Sequence, residues 1–241
     1  MPVPVLEFWH FKASRTGWRN IALGFQKGKR NNIQKLILND VFVDDIVIEY
    51  VADCIAAVKN VELTAFGRSN DGDGQTKNIW ETIADRIIED DVLLDNLDLS
   101  LIDFTNDTVD DIARCIANVK SAKLVNVEMT KKQWARFAIE MNRSDKKLIC
   151  LHYDEVDEIE KVCTRAFART ISAVDEIRLS DVQIIPKLWE EIGREIRQPH
   201  SKLKKLILKF SAPDQKSAFA LNPLDGFRVI ENAKTTVYER F

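Results

Sequence analysis

The chain has 241 residues, of which 45% are hydrophobic and 30% are charged, and its formal net charge at pH 7 is -3. This composition supplies a large core and excludes a largely disordered chain, and the small negative charge disfavours a nucleic-acid partner. No apolar run is long enough to span a bilayer, and the opening sequence MPVPVLEF lacks the regions of a secretory signal. We therefore expect a cytoplasmic protein with no membrane partner.

Cysteines and charges are unevenly spread along the chain. Four cysteines, at positions 54, 115, 150 and 163, form no CxxC pair, which predicts buried, reduced thiols and neither a disulfide framework nor a zinc site. We expect no cofactor and no metal. Residues 40–111 contain 19 Asp or Glu and 4 Lys or Arg, whereas both flanks are net basic. This acidic stretch favours a protein partner with a basic surface.

Residues 1–32 are predicted to form an N-terminal irregular or capping repeat. A first strand is expected within residues 5–11, and a helix is expected around residues 18–26. Capping repeats that differ from the internal ones are common at the ends of repeat proteins.

Residues 33–210 contain a recurring spacing of apolar residues, apolar-x-x-apolar-x-apolar. The copies are Ile33/Leu36/Leu38, Val58/Val61/Leu63, Leu94/Leu97/Leu99, Ala122/Val125/Val127, Val174/Ile177/Leu179 and Leu203/Leu206/Leu208, with a weaker copy at Ile149 and Leu151. Successive copies lie about 28 residues apart, which is within the range of leucine-rich repeats. Each copy predicts a short strand.

A helical segment follows each predicted strand. Residues 51–59 (VADCIAAVK) and 112–120 (IARCIANVK) match at six positions with an offset of 61, the same offset that separates Leu36 from Leu97. Start signals accompany several helices: Thr130 and Gln133 have capping-box spacing, Thr108 and Asp111 have it too, and Pro186 suits a first helical turn. Tryptophans 80, 134 and 189 fall among apolar helix neighbours, which predicts core positions.

The repeats predict faces for the helices as well as for the strands. One apolar face is formed in turn by Ile112/Ile116/Val119, by Trp134/Phe137/Ala138/Met141, by Ile159/Cys163/Ala166/Phe167 and by Leu188/Trp189/Ile192/Ile196. The pattern is therefore strand, turn, helix and strand, repeated.

The segments IQKLILNDV, NLDLSLI, VDEIRLSDV and LKKLILKF, with their helices, resemble the ribonuclease-inhibitor-like class of leucine-rich-repeat proteins. The resemblance implies an α/β solenoid, a horseshoe with a parallel sheet on its concave face and helices on its convex face. It also implies a binding role, as in the recognition part of a larger receptor or ubiquitin-ligase adaptor. The family places Asn or Cys at an inner turn, where this chain has Val41, Phe66, Ile102, Thr130, Asp154, Val182 and Ser211.

Two further segments are interpreted from their composition. Residues 211–241 are predicted to be a C-terminal repeat or cap. Residues 67–76 (GRSNDGDGQT) form a polar, glycine-rich run that lengthens one repeat and predicts a loop insertion. The acidic residues of this loop do not match the calcium-binding pattern, because Ser69 and Trp80 stand where acidic ligands are needed.

The predicted binding surface is the set of strand residues that alternate with the core residues and point to the concave face. The nominated partner-binding residues are Lys35, Ile37, Asn39, Glu62, Thr64, Asn96, Asp98, Ser100, Asn126, Glu128, His152, Arg178, Lys205 and Lys209. The preferred hypothesis is a non-catalytic module that binds a protein there.

Two alternatives stay open at the level of sequence. The first is an enzyme or enzyme subunit with catalytic residues scattered over the repeats, for which Cys150 and His152 on one strand face are the simplest nucleophile and base. The second is a structural spacer. No other constellation of His, Cys, Ser or Asp suggests catalysis.

Overall fold

The computed structural model describes residues 4–27, 33–67, 76–89, 92, 94–143, 147–156, 159, 163–210, 224, 226–232 and 234–241. Within these residues the chain forms ten strands, which mostly pair in parallel, and seven helices. The protein is therefore an α/β protein with a repeat-like alternation of strand and helix, as its sequence predicts. It divides into two compact units, Met1–Ala122 and Lys123–Phe241.

The first unit alternates strand and helix throughout. Its elements are β1 (Val5–Trp9), α1 (Arg15–Lys27), β2 (Lys35–Asn39), α2 (Ile48–Ala56), β3 (Asn60–Thr64), α3 (Thr76–Ile88), β4 (Asn96–Ser100) and α4 (Val109–Ala117). Strands β1 to β4 pair in chain order and in parallel. Leu36 lies beside Val61, and Val61 lies beside Leu97. Equivalent residues of successive repeats are thus in register.

Strand β5 (Ser121–Val125) contains the boundary between the units. The elements that follow are α5 (Lys131–Met141), β6 (Cys150–Asp154), α6 (Thr164–Ser172), β7 (Glu176–Ser180), α7 (Pro186–Ile196), β8 (Lys205–Lys209), β9 (Phe227–Glu231) and β10 (Thr235–Arg240). Strands β6, β7 and β8 pair in parallel and in chain order, but β10 pairs antiparallel with β8 and with β9. The final hairpin therefore replaces the strand-helix repeat.

Burial along the strands has a period of two, which divides each sheet into a buried and an open face. In β2, Leu36 and Leu38 are fully buried, whereas their neighbours are partly exposed. Helices cover the buried face with apolar residues, because their inward side repeats every three to four residues. Trp80, Trp134 and Trp189 are buried, which confirms their predicted core positions.

A left-handed residue follows each of the strands β1 to β7. These residues are His10, Asp40, Ala65, Leu101, Asn126, Glu155 and Asp181, with φ between 48° and 54°. In six of the seven, namely His10, Asp40, Ala65, Asn126, Glu155 and Asp181, the backbone N–H donates to the carbonyl of the last residue of the next strand; for example, Asp40 N donates to Thr64 O at 2.9 Å, and Glu155 N donates to Ser180 O at 3.0 Å. This shared turn is a backbone signature of the repeat, and glycine occupies none of the seven positions.

A buried apolar residue follows six of the seven left-handed residues, whereas Phe11, which follows His10, is partly exposed. The residues are Val41, Phe66, Ile102, Val127, Val156 and Val182, which are 1–5% exposed. The turn is therefore filled by an apolar side chain where leucine-rich repeats place Asn or Cys. Two residues assigned to this place from the sequence, Thr130 and Asp154, are wrong, because the repeat of β5 lies three positions earlier than predicted and that of β6 lies two positions later.

The predicted register of β5 is wrong by three positions. Ala122 and Leu124 are the buried residues of the strand, and Val125 is partly exposed. The buried set is therefore Val119, Ala122 and Leu124. These positions lie 61 residues after Val58, Val61 and Leu63, the offset that also relates the helices.

The weak copy at Ile149 and Leu151 is misplaced by two positions in the opposite direction, because Leu151 and Tyr153 pair with Ile177 and Leu179. Leu148, Leu151 and Tyr153 are buried, while Ile149 is 52% exposed. The correct core set of this repeat therefore begins at Leu148.

Helix starts agree with the sequence in two cases and differ in two. Thr130 and Gln133 form the predicted capping box, and Pro186 occupies the first turn of α7. The capping box predicted at Thr108 is wrong, because its side chain bonds to Thr105 and to the carbonyl of Asp103 instead of to the helix.

Helix α6 begins only at Thr164. In the predicted face Ile159/Cys163/Ala166/Phe167, the first two residues are buried but precede the helix, and Ala166 is partly exposed. Phe167 is buried as predicted, and Ala168 and Ile171 complete the buried face of the helix. The predicted loop insertion lies at residues 67–76, of which 68–75 are outside the described residues. No helix among the described residues is long and apolar enough to cross a membrane.

Candidate binding face on the sheet

The first, third and fifth residues of β1 to β4 form one patch in the first unit, here called the first open face. Parallel strands place equivalent side chains in rows, with neighbours about 4.8 Å apart along each row. The rows are Val5, Lys35, Asn60 and Asn96; Glu7, Ile37, Glu62 and Asp98; and Trp9, Asn39, Thr64 and Ser100. The structure therefore brings together all eight site residues predicted on β2, β3 and β4.

The middle row of the first open face is acidic. Glu7, Glu62 and Asp98 share this row with the half-buried Ile37. Lys35 Nζ lies 2.7 Å from Glu62 Oε2, so a basic side chain of the adjoining row offsets part of the charge. Three carboxylates and one ammonium group leave this part of the face negative.

An amide ladder lies beside the acidic row. Asn96 Nδ2 donates to Asn60 Oδ1 at 2.6 Å, and Asn60 Nδ2 donates to the backbone carbonyl of Gln34 at 3.0 Å. These bonds fix the side chains at the beginnings of the strands. The face is consequently a pre-ordered surface rather than a set of independent rotamers.

A second patch, here called the second open face, is formed by β6, β7, β8 and β10 of the second unit. Its rows are Cys150, Glu176, Lys205 and Glu239; His152, Arg178, Ile207 and Val237; and Asp154, Ser180, Lys209 and Thr235. It contains the predicted site residues His152, Arg178, Lys205 and Lys209. Its charges alternate in sign, unlike the acidic middle row of the first open face.

Hydrogen bonds on the second open face run between neighbouring strands. His152 Nε2 lies 2.8 Å from Ser180 Oγ, and Cys150 Sγ lies 3.8 Å from Glu176 Oε1. Burial lowers the pKa of His152 to about 4, with Lys123, Lys209 and Arg178 adding to the effect and Asp154 opposing it. The imidazole is therefore neutral at pH 7. Cys150 and His152, which the sequence suggested as a nucleophile and its base, both contact side chains of strand β7.

Two predicted site residues do not belong to either open face. Asn126 and Glu128 lie beyond the end of β5, and Asn126 is the left-handed residue of its turn. They were nominated from the shifted register. The alternating positions of β5 are Ser121, Lys123 and Val125, and Lys123 Nζ lies 2.7 Å from Asp154 Oδ2.

Sequence reasoning missed several residues of the open faces. Val5, Glu7 and Trp9 were not nominated although a first strand was expected there, and Asn60, Asp154 and Glu176 were passed over at strand ends. The correct register of β5 could have been predicted from the offset of 61 residues, which relates Val61 to Ala122. Trp9 is 58% exposed, which makes it the largest exposed apolar side chain of the first open face.

The buried cysteines lie away from both faces. Cys54, Cys115 and Cys163 are at most 1% exposed, as the sequence predicts, whereas the prediction is wrong for Cys150, which is partly exposed on the second open face. Burial raises the pKa of Cys54 to about 12 and also raises that of Cys115. These thiols are core residues. Among the described residues, no group of His, Cys, Asp and Glu has an arrangement that could hold a metal ion.

No protein-family model matches this chain, and no curated protein matches its sequence. The geometry of the open faces is therefore the basis for a functional proposal.

Proposed function

We propose that the protein is a non-catalytic interaction module whose first open face binds a basic surface of a protein partner. The observation that carries the proposal is the acidic middle row, in which strand pairing aligns Glu7, Glu62 and Asp98. An aligned row of like charge complements a basic surface and accelerates association with it.

The composition of the first open face supports a protein rather than a small-molecule ligand. The face combines acidic side chains, amides and an exposed tryptophan, and aromatic anchors of this kind contribute strongly to protein interfaces. Trp9 adjoins Asn39 in the strand register, at the margin of the acidic row. We therefore expect Trp9 to pack against the partner while the carboxylates orient it.

The repeat architecture supports the same role. We propose that the repeats are of the leucine-rich kind, with an apolar residue in place of the inner-turn asparagine, and that the module is the recognition part of a larger receptor or ubiquitin-ligase adaptor. The horseshoe curvature implied by the resemblance stays a prediction.

The experiment compares two triple variants with the original chain in affinity capture from a lysate of the source cells. One variant carries Glu7→Lys, Glu62→Lys and Asp98→Lys on the first open face. The matched control carries Asp45→Lys, Glu49→Lys and Glu81→Lys, which are exposed positions outside it. Capture at roughly 50 and 150 mM salt, followed by mass spectrometry, shows which proteins depend on the face.

The expected result is a protein retained by the original chain and by the control, and lost by the variant of the first open face. Its binding should also weaken at the higher salt concentration. Equal loss in both variants would indicate a general effect of net charge. Retention by both variants would place the binding site elsewhere and overturn the proposal.

A further inference from the structure

A groove lies between helices α5 and α6 of the second unit, away from both open faces. Its volume is about 630 Å³, and its described lining consists of Lys131, Ala135, Ala138, Ile139, Asn142, Arg165, Ala166, Arg169 and His200. The helices meet here through alanines, whose small side chains leave room between them. Asn142 Nδ2 ties the two helices together by donating to the carbonyls of Ala138 at 2.7 Å and Arg169 at 3.4 Å.

The rim of the groove is positively charged. The side chains of Arg165 and Arg169 are 64% and 49% exposed, and both approach the buried carboxylate of Glu195, with Nε to Oε1 distances of 3.9 and 3.6 Å. His200 Nε2 lies 3.8 Å from Oε2 of the same carboxylate. One carboxylate therefore faces two guanidinium groups, and Lys131 adds a third permanent positive charge.

The floor of the groove is apolar. Ile139 is 67% exposed, and it lies beside the alanines of the same lining. Ile139 and the alanines therefore give the positively charged groove an apolar surface on which an aliphatic side chain can pack. The described lining contains no aromatic ring on which a nucleobase could stack.

We propose that this groove binds an acidic amphipathic segment of a protein partner, with an aliphatic side chain packed on Ile139 and the alanines. Its carboxylates would pair with Lys131, Arg165 and Arg169, since guanidinium and carboxylate groups form strong, directional pairs. A helix in a groove presents such anchors at i and i+4. The lining of the groove shares no residue with the first open face. The groove would bind an acidic segment, whereas the first open face would bind a basic surface.

The test measures fluorescence anisotropy of three labelled probes with the full chain. The first is an acidic peptide of about 12 residues with leucines at i and i+4 on one helical face. The second replaces its leucines with serine, and the third is a thymidine oligonucleotide of equal net charge. We expect the first probe to bind at least roughly tenfold more tightly than the other two.

The decisive variant combines Lys131→Glu and Ile139→Ser, two exposed positions whose replacement leaves the core intact. We expect it to weaken the first probe at least roughly tenfold. A second variant, Arg165→Gln with Arg169→Gln, should weaken it as well. The charge control, Lys187→Glu with Lys234→Glu, lowers the net charge more than either groove variant does, at exposed positions outside the groove, and should still leave the affinity unchanged.

Three outcomes would overturn the proposal. Equal affinity for the oligonucleotide and both peptides would show an unspecific anion site or a nucleic-acid site. Equal loss in the decisive variant and the control would show a general charge effect. Lack of binding of the first probe to the original chain would show that the groove takes no acidic helix. None of these outcomes bears on capture through the first open face.

Discussion

Helices α2 and α4 of the first unit and helices α5 and α6 of the second unit carry opposite net charge although they occupy equivalent places in the repeat. Helices α2 and α4 together contain four acidic residues and one basic residue, whereas α5 and α6 contain five basic residues and one acidic residue. Outward helix positions are free to vary because packing does not constrain them. One repeat backbone can therefore carry surfaces that select partners of opposite charge.

The contacts between helices differ accordingly. In the first unit, Arg86 of α3 pairs with Asp53 of α2, and Arg114 Nη2 of α4 lies 2.7 Å from Asp85 Oδ1 of α3. In the second unit, the equivalent space between α5 and α6 is a groove with unbalanced positive charge. Ion pairs thus link neighbouring helices from α2 to α4 in the first unit. In the second unit, Arg165 and Arg169 of α6 pair with Glu195 of α7, while an open groove lies between α5 and α6.

The cores of the units differ as well. Between α2 and α4 the first unit buries aliphatic residues, two cysteines and the aromatic pair Phe66 and Trp80, whereas the second unit buries a cluster of three rings, Trp134, Tyr153 and Phe167. The ring centroids of Phe167 lie 5.0 Å from Trp134 and 4.9 Å from Tyr153. Tyr153 occupies the strand position that Leu38, Leu63 and Leu99 fill in the first unit. Equivalent backbone positions are therefore filled with different volumes.

The largest expected change in the free energy of unfolding comes from a substitution that tests this difference in core composition. Phe167→Ala should lower the free energy of unfolding by about 3–5 kcal/mol, because it removes a fully buried ring that contacts two other rings. Cys115→Ala, at an equally buried site of the first unit, should cost about 1–2 kcal/mol because it removes a single sulfur atom. Urea unfolding followed by circular dichroism measures both values.

Phe241→Ala is the control for this comparison, since Phe241 is 89% exposed and should change stability by less than about 0.5 kcal/mol. Equal losses for Phe167→Ala and Cys115→Ala would contradict the view that the aromatic cluster organises the second core.

An intermediate effect concerns the left-handed turns. The first unit places Leu101 in this conformation, whereas the second unit places Asn126 at the equivalent turn, with φ of 53° and 54°. Leu101→Asn should stabilise the protein by about 0.5–1 kcal/mol, because Asn adopts the left-handed region at lower cost than Leu. Asn126→Leu should destabilise it by a similar amount. Thermal or urea unfolding measures both changes.

Both residues are substantially exposed, so lost burial contributes little to either change. Changes of the same sign in the two variants would contradict a conformational origin.

The smallest expected effect is a pH dependence confined to the second unit. Burial lowers the pKa of His152 to about 4 in the folded state, from 6.5 in a model environment. As pH falls below 6.5, the unfolded chain binds a proton that the folded chain excludes, so the free energy of unfolding falls until pH reaches about 4. Below that pH both states are protonated and this contribution becomes constant.

Urea unfolding of the original chain and of His152→Gln, measured from pH 8 to about pH 4, tests this linkage. The original chain should lose more stability than the variant below pH 6.5, while the two should show the same pH dependence above pH 7. Parallel curves across the whole range would rule out His152 as the titrating group.

Spacing predicted the architecture better than it predicted the site. The apolar copies around Leu36, Val61, Leu97, Ile177 and Leu206 all became strands with their buried residues in the predicted places. The copies at β5 and β6 were shifted, because Val125 and Ile149 are apolar residues beside the true core positions. An exposed apolar residue and a buried one look alike in a sequence, so only packing distinguishes them.

The site was predicted where the register was right. Eight residues of the first open face were nominated and lie together in its rows, whereas Asn126 and Glu128 lie beyond their strand. The groove between α5 and α6 was not predicted. It depends on which helix faces meet and on the small size of Ala135 and Ala166, which periodicity alone does not specify.

The sequence by itself determined the alternation of strand and helix, because the periods of two and of three to four are local properties of apolar spacing. Only the tertiary structure decided three other features: the antiparallel end of the second unit, the turn of left-handed residues, and the neighbours of each charged side chain. Backbone hydrogen bonds between strands distant in sequence fix the turns, and pairing register determines which carboxylates share a row. These interactions join residues about 25 or more positions apart, beyond the range over which a local pattern carries information.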